Sequence, residues 1–143
     1  MTDETIKVRD IILSVKPIYW ERIVSGEKKY EYRRKIVIVP EIRRIYFYVT
    51  APIKKVMGYA EVVGEALAFL PEDLWRMTKD EGPGISEEAF FEYFKDIDED
   101  NYTSGIGAYK LGDITVFPEP KCVGEFGLKR APQSFAYVKE YAK

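Results

Sequence analysis

Between Pro17 and Arg33 the sequence changes its period, and that change constrains the fold more than any other feature. Pro17 suits the first position of a helix and Gly26 the residue just past its end, so 17–25 reads as a short helix. Trp20, Ile23 and Val24 fall at helical spacing and are expected to face the core. Tyr19 is either a further core ring or a stacking surface. After Gly26 the period becomes two. On a strand, Tyr30 and Tyr32 share one face while Lys29, Glu31 and Arg33 share the other. Lys28 sits at the turn and can point the same way as Glu31. The stretch is therefore expected to form a helix–turn–strand corner that gathers Lys28, Glu31 and Arg33 at the mouth of a cleft. The plainer alternative is an exposed ion-pair ladder along Lys29, Glu31 and Arg33, contributing ~0–1 kcal/mol.

The flanks supply the rest of a small sheet. Residues 1–10 are polar and read as a loose lead-in, and the alternation of Ile11, Leu13 and Val15 predicts a strand over 10–16. Lys16 then stands beside a helix N-terminus, whose free N–H groups favour anions. Residues 41–50 form the clearest strand. Ile45, Phe47 and Val49 line one face, and Arg44, Tyr46 and Tyr48 the other. That second face is an aromatic–basic stripe of the kind that stacks bases, unless it is covered by packing. Residues 54–65 alternate again, and the small residues Gly58 and Ala60 suggest close approach of a neighbour, with Glu61 on the opposite face beside Tyr59. Gly105-Ile106-Gly107 opens a strand over 108–117, with a turn or bulge expected at Gly112-Asp113 and an end at Pro118 and Pro120. Residues 121–130 carry no assignable pattern. Gln133-Ser134-Phe135 either brings polar side chains toward the cleft or closes a turn.

From Pro71 the character shifts. Pro71-Glu72-Asp73 is a helix start, Gly82-Pro83-Gly84 a break, and Ser86 caps a second helix with Phe90, Phe91 and Phe94 as its buried set. Residues 66–100 thus read as a helical insertion. The charge follows this division. Residues 1–60 carry 13 Lys and Arg against 7 Asp and Glu, residues 61–100 carry 3 against 13, and residues 101–143 carry 6 against 4. A basic half beside an acidic insertion can bind an anion locally although the net charge is −2. The acidic 66–100 segment is also a candidate surface for a protein partner.

Several classes fall away. There is no histidine and one cysteine, Cys122, so no Ser-His or Cys-His pair, no disulfide within the chain and no cysteine-built zinc site can form. Asp96-Ile97-Asp98-Glu99-Asp100 fails the calcium-loop test: the sixth position is Asn101 rather than Gly, and the twelfth is Gly107 rather than Glu. No metal and no cofactor is expected. No apolar run approaches ~18 residues and no signal-peptide stretch precedes the first strand, so a cytoplasmic protein without a membrane span is expected. At 143 residues the chain is expected to form one domain, 1–143, able to bury ~70% of its unfolded surface.

Gly26, Lys28, Glu31 and Arg33 fit G-x-K-x-x-E-x-R, which resembles the signature of the ASCH domain family. Leu13-Ser14-Val15-Lys16-Pro17 resembles that family's first strand and helix entry, and Ala131-Pro132-Gln133-Ser134-Phe135 the C-terminal end of one of its branches. The resemblance runs from about residue 11 to residue 138. It implies an α+β fold: a mostly antiparallel PUA-like β-barrel of five to seven strands, with a short helix across the first strand pair and the helical insertion covering one end.

For function the resemblance leaves three readings. The first is a nucleic-acid-binding module, expected for RNA, in which Lys16, Gly26, Lys28, Glu31 and Arg33 form the binding site. The cations would meet phosphate or a base, and Glu31 would accept hydrogen bonds from a base or hold the cations. The second is an enzyme on RNA or a modified nucleoside, with Lys28 and Glu31 as candidate catalytic residues. Some ASCH-like proteins hydrolyse N4-acetylcytidine with the motif lysine and a threonine nucleophile; here Glu31 stands where that threonine would be, which argues against that reaction. Others resemble divalent-metal ribonucleases, for which Glu31 and Glu61 are the available carboxylates. The third is a transcription-coregulator interaction domain.

Overall fold

The structure, a computed structural model, describes residues 8–100 and 105–139. Six strands form one curled sheet. β1 (Val8–Val15) is followed by α1 (Pro17–Ser25), β2 (Tyr30–Arg33), β3 (Glu41–Val49) and β4 (Lys55–Ala68). Helices α2 (Pro71–Thr78) and α3 (Glu87–Tyr93) then lead to β5 (Ile106–Lys121), a 3₁₀ turn (Val123–Phe126) and β6 (Phe135–Tyr137). The order across the sheet is β2-β5-β4-β3-β1-β6, all neighbours antiparallel except β1 and β3. The fold is α+β as expected, but the expected barrel is a half-barrel: β2 and β6 are edges, and no backbone ladder joins them. No helix among the described residues is long and apolar enough to cross a membrane.

α1 obeys its punctuation. Pro17 occupies the first turn and Gly26 adopts the left-handed conformation (φ 88°), its N–H returning to the Ile23 carbonyl. The helix buries Trp20 and Ile23 in a core with Leu13, Ile45, Phe47 and Val49, and Trp20 meets the Phe47 ring at 5.6 Å. Each such aliphatic or Phe side chain contributes about 1.5–3 kcal/mol when fully buried. Val24, by contrast, is 45% exposed. Gly58 has no room for a side chain: a Cβ there would strike the Thr115 carbonyl and approach Trp20, which is the close contact its sequence position suggested.

A second core lies where the insertion meets the sheet. Leu74, Phe90, Phe94 and Ile97 pack on Tyr30 and Tyr32 of β2 and on Ile106 and Ala108 of β5. Ser86 caps α3 by accepting from the Ala89 N–H at 3.0 Å, as its sequence position predicts. Strand β4 runs to Ala68, so the helical excursion begins a few residues later than residue 66.

The strand limits differ at two places, the start of β1 and the end of β5. β1 begins at Val8, inside the stretch read as a lead-in; residues 1–7 lie outside the described residues. β5 carries the expected bulge at Gly112-Asp113, because Ile114 pairs with Ala60 and Leu111 with Val62. It does not end at Pro118 and Pro120. Val116 pairs with Gly58 and Lys121 with Val56, so both prolines bow out opposite the single residue Met57, where no ladder N–H is needed. Of the acidic run, Asp96 pairs with Arg34 at 3.0 Å; Asn101 lies outside the described residues.

Candidate functional site: a charged cleft at the seam of the sheet

At the open seam between β2 and β6 lies a cleft of about 490 Å³. One wall is Lys16 and Tyr19 at the start of α1. A second is Lys28, Glu31 and Arg33 from the corner and β2. The third is the α3 face with Ala89, Glu92 and Tyr93, and Gln133 and Ser134 close the fourth side. Thus Lys16, Lys28, Glu31 and Arg33 share one concave surface. Gly26 does not line it; its part is to turn the chain so that the Lys28 N–H reaches the Arg22 carbonyl at 2.9 Å.

Lys28 is 5% exposed. Its Nζ lies 5.3 Å from the Tyr19 ring centre and 5.0 Å from that of Tyr32, and donates to the Pro83 carbonyl at 3.3 Å. Gly82-Pro83-Gly84 of the insertion is laid along this residue. The Lys29 N–H donates to the Gly82 carbonyl at 2.7 Å, and Arg22 Nη1 to the Gly84 carbonyl at 3.0 Å. Gly84 has φ 67°, and a Cβ there would collide with the Lys28 Cβ and Cα. Only glycine permits this approach, which shuts Lys28 away from water on that side.

Glu31 is 9% exposed and pairs across the sheet with Tyr109, so it points toward the half-barrel interior. Among the described residues its carboxylate forms no hydrogen bond and no ion pair; Lys28 and Arg33 act on it through space. Burial pushes its pKa up, against the two cations. Burial likewise pushes the Lys28 pKa down, against the attraction of Glu31. The plainer alternative, a Lys29–Glu31–Arg33 ladder, is not formed. β2 starts at Tyr30, Lys29 is exposed outside the cleft, and Lys28 takes its place.

Arg33 ties the seam. Its Nη2 donates to Ser134 Oγ at 2.5 Å, and its guanidinium lies 5.5 Å from the centre of the Phe135 ring. Ser134 is fixed in turn, since its carbonyl accepts from the Ser14 N–H at 3.2 Å and Ser14 Oγ donates to the Pro132 carbonyl at 2.6 Å. A side-chain bond therefore stands where a closed barrel would have a backbone ladder.

Sequence reasoning missed the third wall. Ile85, Ala89, Glu92 and Tyr93 recur at helical spacing around the phenylalanine face of α3, and that spacing was the available signal. It stayed hidden because nothing local says that α3 faces β2.

Other sequence candidates lie elsewhere. Arg44 donates to Glu61 at 3.0 Å and covers the Tyr59 ring, and Tyr46 is 1% exposed beneath Phe126 and Phe117. The aromatic–basic stripe is packed, and Glu61 is not with Glu31. No group of three or more His, Cys, Asp or Glu side chains able to hold a metal gathers among the described residues. Acidic groups of the insertion are partly engaged within the chain, as in Tyr30–Glu81, Asp73–Arg76 and Glu92–Lys95, and nothing supports a protein partner there. A second hollow of about 450 Å³, between Ile36, Ile38, Leu67, Phe69 and Ile106, holds no ionisable side chain.

The chain matches no family model. Among curated proteins it is similar to an ASCH domain-containing ribonuclease of Zymomonas mobilis, 31% identical over 87 residues. That match covers 61% of this chain and 57% of the relative, so it spans little more than half of the relative's length. Among solved structures it resembles the ASCH protein of Zymomonas mobilis, with a TM-score of 0.74 at 26% identity over 92% of this chain and 89% of that one. A tyrosine-to-phenylalanine mutant of that protein gives a TM-score of 0.74 at 25% identity over 92% and 91%. The half-barrel fold and the sequence similarity agree: the chain is similar to ASCH domain proteins in both sequence and PUA-like fold.

Proposed function

We propose that this chain binds RNA in the cleft at the sheet seam. The observation that carries the reading is the convergence of Lys16, Lys28, Glu31 and Arg33 with Tyr19 and Tyr93 around one cavity of single-nucleotide scale. The ribonuclease name of the curated relative supports RNA as the ligand class. Lys16 and Arg33 at the rim meet phosphate, the tyrosines offer faces for a base, and the acidic insertion keeps the backbone on the basic side.

The test is titration of short single-stranded RNAs by fluorescence anisotropy at two salt concentrations. Log affinity should fall against log salt with a slope of ~−0.7 per phosphate contact. Lys28→Ala with Arg33→Ala should weaken binding by ~1–3 kcal/mol and flatten that slope. Identical curves for wild type and double variant would remove the motif from the binding site.

A second reading, RNA cleavage, is favoured by the placement of Lys28 and Glu31 on the wall of one cleft. Burial brings the Lys28 and Glu31 pKa values toward each other, which suits a pair that exchanges a proton with a reacting ribose or phosphate. Fragments from a labelled RNA that vanish in both Lys28→Ala and Glu31→Gln would establish it. N4-acetylcytidine should not be hydrolysed, because Glu31 stands at the nucleophile position; turnover lost in Lys28→Ala would overturn that expectation.

A further inference from the structure

The cleft holds two buried charges with hydrogen-bonding capacity to spare. Glu31 is nine-tenths buried, aimed into the cavity, and has no partner among the described residues. Lys28 has three donor hydrogens and one hydrogen bond, a long one of 3.3 Å to Pro83. Both side chains line the cavity, so the pair gains most from a ligand that supplies what each lacks. Lys28 lacks acceptors. Glu31, with two oxygens, lacks donors, and two adjacent N–H donors would satisfy it in bidentate fashion.

The four bases differ in what they present along the Watson–Crick edge. Guanine offers a carbonyl acceptor followed by two adjacent donors, N1–H and the N2 amino group. Uracil has one donor between two acceptors. Cytosine has one amino donor followed by acceptors, and adenine has an amino donor and no carbonyl. Lys28 beside Glu31 complements the guanine order throughout: ammonium to O6, carboxylate to N1–H and N2–H. The walls suit a planar base, with Tyr19 half-buried on the α1 side and Tyr93 39% exposed on the α3 side.

Resting on the RNA-binding reading above, we infer that the cleft recognises one unpaired guanine, its edge held by Lys28 and Glu31 between Tyr19 and Tyr93. The same chemistry belongs to a guanine within a strand and to a free guanine nucleotide. Arg33 and Lys16 then meet the phosphate that either carries.

The experiment uses labelled adenine heptamers with a central guanine, hypoxanthine, adenine, uracil or cytosine, titrated at low salt. Guanine should bind about tenfold tighter than adenine, uracil or cytosine. Hypoxanthine, which keeps O6 and N1–H and lacks the amino group, should fall between. Glu31→Gln, nearly isosteric and checked for folding by circular dichroism, should compress the five affinities toward one value, and Lys28→Gln should narrow them as well. Guanosine monophosphate displacing the heptamer at comparable affinity, in wild type and not in Glu31→Gln, would keep the site and make its occupant a free nucleotide. Five equal affinities in the wild type, or a guanine preference that survives Glu31→Gln, would overturn the inference while leaving RNA binding in place. Failure of every heptamer and of the nucleotide to bind would end both readings.

Discussion

Two regions of this molecule are built from the same materials and end differently. The stripe Arg44, Tyr46, Tyr59 and the cleft Lys28, Arg33, Tyr19, Tyr93 each combine cations with tyrosines. In the stripe, Arg44 has a carboxylate partner in Glu61 and a ring beneath it, and Tyr46 is sealed under Phe126. In the cleft, Lys28 and Glu31 are more deeply buried than Arg44 and Glu61, yet do not pair. Composition does not separate the two. Whether the carboxylate has a partner does: Glu61 holds Arg44, whereas Glu31 has none among the described residues and faces the cavity, where a ligand can meet it.

The sharpest way to break the comparison is Phe126→Ala. Phe126 is fully buried among Ile12, Tyr46 and Val56, so the change should destabilise by about 3–5 kcal/mol in denaturant unfolding. RNA affinity of the molecules still folded should be unchanged. A selective loss of RNA binding would make the packed face functional after all.

Gly84→Ala attacks the cleft from behind. At φ 67° with Lys28 against it, alanine should cost about 1–2 kcal/mol of stability and shift Lys28. Its RNA affinity should fall although no ligand-facing side chain is altered; unaltered affinity would show that the loop does not position Lys28.

Tyr32→Phe separates the two faces of β2. The Thr78 hydroxyl donates to the Leu74 carbonyl at 3.0 Å, so the Tyr32 hydroxyl donates to Thr78 at 2.7 Å, and losing that bond should cost about 1 kcal/mol. Burial pushes the Tyr32 pKa up to about 12 from 10.0. A raised folded pKa means stability present in full below pH 10 and lost as pH rises toward 12. The decline of stability over that window, followed by chemical denaturation, should be shallower in Tyr32→Phe. An equal slope in both proteins would assign alkaline unfolding to another group.

Arg44→Ala is the smallest. Its pair with Glu61 is partly exposed and should be worth ~0–1 kcal/mol, with no effect on RNA affinity. A drop in affinity like that of the Lys28 and Arg33 variants would erase the distinction between the two regions.

The local pattern was legible where one element decides its own geometry. Pro17 and Gly26 bounded α1 to the residue, Ser86 announced α3, the pair Gly58 and Ala60 announced a close approach, and Gly112-Asp113 announced a bulge. Backbone dihedral preference and hydrogen-bond capping act within a few residues, so the sequence states them directly. Three outcomes were settled only in three dimensions. The sheet stops at a half-barrel, bridged by Arg33 and Ser134 across 101 positions of chain. Gly82-Pro83-Gly84 of the insertion lies along the turn at Lys28 and shuts that side chain away from water on one side. And α3 lends Tyr93 to the cleft because its phenylalanine face packs on β2. Each depends on which surfaces meet after the chain has collapsed, and burial energy depends on area rather than on sequence distance. The sequence by itself therefore determined the corner that carries the charges; the tertiary structure decided which of them converge on the cleft, and left Glu31 facing it without a partner among the described residues.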